Sequence, residues 1–156
     1  MDHVVYLDAS AKELDLLLSG EKTMIIRGAT GRKLPYGRVN PGDTLYFINN
    51  NAEGLVKASA KVRIVFNSDK LTEEASALLV ERHQEKLQLT KKQYDRWAGK
   101  RYLVLIEVGG VEIIEPFQID KSDYGNMDDW LFVEQIEKVR LVSQNATTTK
   151  TIPKKA

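Results

Sequence analysis

The chain has 156 residues, of which 42% are hydrophobic and 29% charged, enough for one domain with a buried core. With no cysteine, no apolar run of membrane-spanning length and no signal-peptide core at its charged amino terminus, it reads as a cytoplasmic protein without disulfides or membrane contact. The formal net charge of +1 argues against a uniformly basic nucleic-acid protein, but the charge is unevenly spread: Gly20 to Asn40 holds five basic residues against Glu21, and Glu107 to Glu137 holds nine acids against Lys121.

Val4 to Leu7 reads as a buried strand. Ser10, three residues before Glu13, has capping-box spacing for a short helix carrying Leu14, Leu17 and Leu18 on one face and stopping at Gly20. Thr23 to Arg27 predicts a strand with Thr23, Ile25 and Arg27 on one face and Lys22, Met24 and Ile26 on the other. Lys22 and Arg27 can therefore serve one site only if Lys22 precedes the strand, in the turn after Gly20. Residues 28 to 43 form a long basic loop, punctuated by Gly28, Gly31, Pro35 and Gly37.

"DTLYFI" predicts the next strand, and "NNNAEG" turns the chain back. Leu55 to Phe66 alternates, with Val56, Ala58, Ala60, Val62 and Ile64 inward and the basic stripe Lys57, Ser59, Lys61 and Arg63 outward. Thr72 caps a helix to about Leu87 whose inner side holds Ala75, Leu78, Leu79 and Arg82, and Thr90 starts another that ends at Gly99. "RYLVLIEV", "GG" and "VEIIEPF" read as a hairpin, and "WLFVEQIEKVRLV" as a closing strand. The fold class is α+β and mainly β: an antiparallel or mixed barrel of about six strands with about three short helices. One domain covers residues 1–142, and 143–156 reads as a disordered tail poor in apolar residues.

The only histidines, His3 and His83, lack metal-ligand spacing, no cysteine nucleophile exists, and no phosphate-binding glycine motif is present, so neither a metal nor a cofactor is expected. Chemistry is left to Lys22, Arg27, the basic loop, carboxylates and aromatics. Arg32, Lys33, Tyr36 and Arg38 combine cations with an aromatic ring, the groups that hold a phosphate backbone and an unstacked base. Trp130 stands beside Asp128 and Asp129; it fits either a base-stacking platform with a neighbouring acid reading an amino edge, or an apolar plug closing the barrel.

Gly20, Lys22 and Arg27 within "SGEKTMIIRG", the Gly42–Asp43 turn in "NPGDTLYFI", the helical insert and "RYLVLIEV" occur in an order that resembles the ASCH domains, whose fold is similar to the RNA-binding PUA barrel. The resemblance covers most of residues 3 to 140. It implies either binding of RNA or of a modified nucleoside or nucleotide, or activity as a small amidohydrolase on acylated cytidine or as a ribonuclease. In hydrolase-like members the motif lysine, here Lys22, works with a threonine three residues later and a glutamate that carries over to Glu85. The threonine position holds Ile25, which supplies no hydroxyl, with Thr23 nearby. The binding reading therefore leads, with Lys22, Thr23 and Arg27 as cleft floor, Arg32, Lys33, Tyr36 and Arg38 as rim, and Trp130 as an additional candidate. Catalysis by Lys22 and Glu85 is one alternative; a protein-interaction module using the acidic carboxy-terminal half is another.

Overall fold

A computed structural model describes residues 1–125 and 129–141, so the predicted tail and Asp128 lie outside the described residues. Strand β1 (Asp2–Leu7) pairs in parallel with β3 (Thr44–Asn49) and antiparallel with β6 (Trp130–Glu134). With β2 (Met24–Ala29), β4 (Leu55–Asn67) and β5 (Tyr102–Gln118), they form one six-stranded mixed sheet in the order β2-β5-β4-β3-β1-β6. The sheet curls into a half-barrel. Helix α1 (Glu13–Ser19) joins β1 to β2, while α2 (Glu73–Arg82), the single turn α3 (Gln84–Leu87) and α4 (Lys91–Trp97) lie between β4 and β5. The α+β, mainly β expectation is met, and no helix among the described residues is long and apolar enough to cross a membrane.

The curl buries both faces of β2. Ile25 points into the main cluster with Leu7, Leu17, Phe47, Val104 and Trp130, whereas Met24 and Ile26 join Val80, Leu87, Trp97 and Leu103 beneath the helices. An apolar run covered on both sides needs no polar alternation, which accounts for "MII". A third cluster, including Val4, Ile48, Phe117 and Leu131, uses residues of β1, β3, β5 and β6 together with Val56 of β4.

Five local expectations are corrected. The closing strand predicted over "WLFVEQIEKVRLV" stops at Glu134, whose φ of 66° breaks the extended backbone, and a 3-10 turn over Ile136–Lys138 follows. The predicted hairpin at Gly109–Gly110 is one strand: β5 continues to Gln118, and its register with β4 shifts around the glycines. Gly110 takes φ of 61°, a left-handed conformation that favours glycine, whereas a Cβ at Gly109 would meet only the movable side chain of exposed Arg63; the pair reads as a turn locally but serves as a kink. Register shifts also put Ile64 outside, 57% exposed, although its alternation with Val62 predicts burial. The long helix breaks at His83, and α2 buries Ser76 and Val80 instead of Ala75 and Leu78. Finally, Ser10 does not cap α1. Its hydroxyl donates to Asp8, and Glu13 Oε1 accepts the Asp8 backbone N–H at 2.9 Å. Thr72 and Thr90 do cap α2 and α4, the latter in a full capping box with Gln93.

Candidate ligand-binding site

Arg27 follows Ile25 by two residues on β2, so the same pleat that buries the isoleucine carries a guanidinium toward the end of the curl. Only 7% of Arg27 is exposed. Nη1 donates to the Ile26 carbonyl at 2.8 Å and Nη2 to the Tyr6 carbonyl at 2.7 Å. The ring centres of Trp97 and Trp130 lie 5.8 and 5.6 Å from the guanidinium carbon, within cation–π range. Nε is buried without a hydrogen bond, and Asp129 Oδ2 stands 3.3 Å from it in ion-pair contact.

Arg27 opens onto a cleft of about 140 Å³. Three carboxylates line it, Asp8, Glu13 and Asp129, with the guanidinium of Arg96, the amides of Asn50 and Gln93, and the rings of Tyr6 and Trp97. Drug-sized ligands occupy roughly 300–1,000 Å³, so this space suits one small planar group. The polar lining offers donors and acceptors facing each other at short range, as recognition of a heterocycle edge requires. No serine or threonine is among these residues, and among the described residues no cluster of three histidine or acidic side chains suits a metal.

Lys22 lies behind this cleft. The turn at Gly20, with φ of 84°, ends α1 and returns the chain so that Lys22 N–H donates to the Leu16 carbonyl before β2 begins. The lysine thus precedes the strand, but its side chain is 1% exposed and does not line the cleft. Nζ donates to the Leu87 carbonyl and stands 3.4 Å from Glu13 Oε2. Burial pushes the Lys22 ammonium below its ordinary pKa, the Glu13 carboxylate opposes that shift, and Arg27 adds to it. Glu13 is therefore the link between the buried lysine and the cleft.

Trp130 is 1% exposed, so of its two readings the structure supports the plug. Its Nε1–H donates to His3 Nδ1 at 3.0 Å, which leaves the His3 proton on Nε2, donating to Asp43 Oδ2 at 2.9 Å. Burial lowers the His3 pKa below 6.5 despite the Asp43 carboxylate. The unfolded imidazole takes a proton that the native one resists, so folding stability should fall as pH drops below about 6.5. Urea midpoints between pH 7.5 and 5.5 measure this, and His3→Gln should flatten the slope in that window.

No family model matches the sequence, and no curated protein does either. Among solved structures, an ASCH protein from Zymomonas mobilis superposes with a TM-score of 0.65 at 15% identity, over 88% of this chain and 90% of that one. Two single-substitution variants of it give 0.64 and 0.65. The chain has the ASCH domain fold.

On this ASCH fold the motif positions separate. Position 25 is fully buried apolar core, so no hydroxyl reaches the cleft from there, and Thr23 is held by backbone bonds to Lys86 and Val108. Glu85 is exposed on α3, while the carboxylate in ion-pair contact with Lys22 is Glu13. In the basic loop Arg32, Lys33 and Arg38 are exposed. Arg32 lies over the rings of Tyr36 and Tyr102 and Arg38 over Phe132, while the Tyr36 hydroxyl donates to Ser68. Lys33 and Tyr36 meet Arg27 only in a separate recess of about 10 Å³, too small for a ligand. Sequence reasoning missed Tyr6, Asp8, Glu13, Asn50, Gln93 and Arg96 as cleft residues; the available signal was an acid, Glu13, beside the apolar stripe of α1.

Proposed function

We propose that this ASCH-fold protein binds one base of RNA, or a modified nucleoside or nucleotide, in the cleft above Arg27. The supporting observation is Arg27 itself, a buried cation against two indoles whose Nε has no hydrogen bond. A base would lie against Tyr6 and Trp97, Glu13 or Asp8 would accept from its amino or imino group, and Gln93 would supply either polarity. Arg32, Lys33 and Arg38 would contact the phosphates of a longer strand. Calorimetric titration with nucleosides and short single-stranded RNA tests this reading. RNA affinity should fall steeply between 50 and 200 mM salt (about tenfold or more for several phosphate contacts), and the double variant Arg32→Ala/Arg38→Ala should weaken RNA while sparing nucleosides. Absence of heat with both ligand types would remove the proposal.

The paired Glu13 and Lys22 favour a second reading, hydrolysis of an acylated base. Glu13 would take a proton from water attacking the acyl carbonyl and return it to the departing amine, and Lys22 would hold Glu13 in place. Acylated cytidine should then turn over, and Glu13→Gln should abolish turnover while Glu85→Gln leaves it unchanged.

A further inference from the structure

Arg27 Nε and Arg96 Nη2 both face one oxygen, Oδ2 of Asp129, and both lie 3.3 Å from it. Charge-assisted N–H···O bonds settle at about 2.7–2.9 Å, so a single oxygen serves two guanidiniums poorly. Arg27 Nε registers the deficit directly, being buried and unbonded. Both guanidiniums also lie over the Trp97 ring, Arg96 at 4.3 Å and Arg27 at 5.8 Å, a contact that does not depend on the carboxylate between them.

We propose that the place of Asp129 is a phosphate subsite, held in the free protein by the protein's own carboxylate. A phosphoryl group presents several oxygens in a tetrahedron and can give Nε of Arg27 and Nη2 of Arg96 one each at full hydrogen-bond distance. Charge balance permits the exchange. Glu13 faces buried Lys22, and Asp8 accepts from the Ser10 hydroxyl and the Ala11 N–H. With Asp129 in place, the cleft and its backing hold three cations, Lys22, Arg27 and Arg96, against three carboxylates; turning Asp129 outward leaves one positive charge in excess, which a phosphoryl group of about −1.5 to −2 at pH 7 more than offsets. The exchange needs only a side-chain rotation: the Asp129 carboxylate is 36% exposed, and its backbone carbonyl stays pinned by the Tyr6 N–H at 3.0 Å. Asp129 thus competes with the ligand phosphate and sets the preference between phosphorylated and unphosphorylated ligands.

The placement of a base beside this seat rests on the proposed function, whereas the seat itself does not, and inorganic phosphate tests it alone. Titrated with phosphate and followed by the Arg27 Nε–H resonance, Asp129→Asn should bind at least tenfold tighter than wild type. Adding Arg96→Ala should cancel that gain, and Asp129→Ala should reproduce it should the amide distort the loop. A nucleoside 5′-monophosphate should gain by a similar factor on Asp129→Asn, and the matching nucleoside should gain nothing. Equal phosphate affinity in wild type and both Asp129 variants, or a gain indifferent to Arg96, would overturn the proposal. A phosphate gain in a protein that ignores every nucleoside would support the seat and remove only the base reading.

Discussion

Replacing Glu13 with alanine should destabilise the fold by about 3–5 kcal/mol, the usual result of stripping one partner from a buried ion pair. Lys22 is almost wholly buried, and after the substitution its ammonium keeps only the Leu87 carbonyl. The Asp8 backbone N–H also loses its acceptor. Because Lys22 already titrates below its ordinary value, the native state releases that proton before the unfolded chain does. Stability of the variant should therefore climb with pH over the interval between the lowered native pKa and the ordinary lysine pKa of about 10.4, since the unfolded chain binds more protons there. Pairing Glu13→Leu with Lys22→Met should recover most of the loss, because an apolar pair of similar volume carries no desolvation cost; a residual of about 1 kcal/mol is expected from the orphaned Asp8 N–H. Urea unfolding of Glu13→Leu, of Lys22→Met and of the double variant measures the cycle. A Glu13→Ala protein as stable as wild type at pH 7 would mean that Lys22 is not charged or not buried.

Replacing Arg27 with methionine should weaken ligand binding about 30-fold, the equivalent of about 2 kcal/mol for a charge-assisted hydrogen bond. The fold itself should lose about 1–3 kcal/mol, because the Tyr6 and Ile26 carbonyls each lose a charged donor and methionine cannot replace both. Arg27→Lys should not rescue binding: an ammonium cannot reach two carbonyls and the cleft together with a planar fork. Arg32→Ala and Arg38→Ala leave the cleft intact and should change nucleoside affinity little, which separates floor from rim.

The readable parts of this protein were those fixed by local chemistry. Thr72 and Thr90 announce their helices because capping uses neighbours three residues away. The inward residues of β4 up to Val62 follow from period two. Gly109–Gly110 misled because the same dipeptide suits a hairpin turn and a kink in a long strand, and the pairing that decides the matter, with Ser59 and Lys61 of β4, comes from far along the chain. Glu13 misled in a related way. Its spacing from Ser10 matches a capping box, yet its oxygens serve Asp8 and Lys22, and the burial of Lys22 depends on α3, some 65 residues along the chain. The motif residues Lys22 and Arg27 were legible, and so was the condition that Lys22 precede β2. Their distinct roles, one behind the cleft and one in it, arise from the curl that brings Trp130 and Asp129 over β2, and no local pattern encodes that curl.

The most direct measurement of ligand placement is the transferred nuclear Overhauser effect between a nucleoside and the aromatic side chains. Binding above Arg27 predicts cross-peaks from the base protons to the Tyr6 and Trp97 rings, lost in Arg27→Met and kept in the Arg32→Ala/Arg38→Ala variant. Cross-peaks confined to Tyr36 and Tyr102 on the basic loop, unchanged by Arg27→Met, would contradict it.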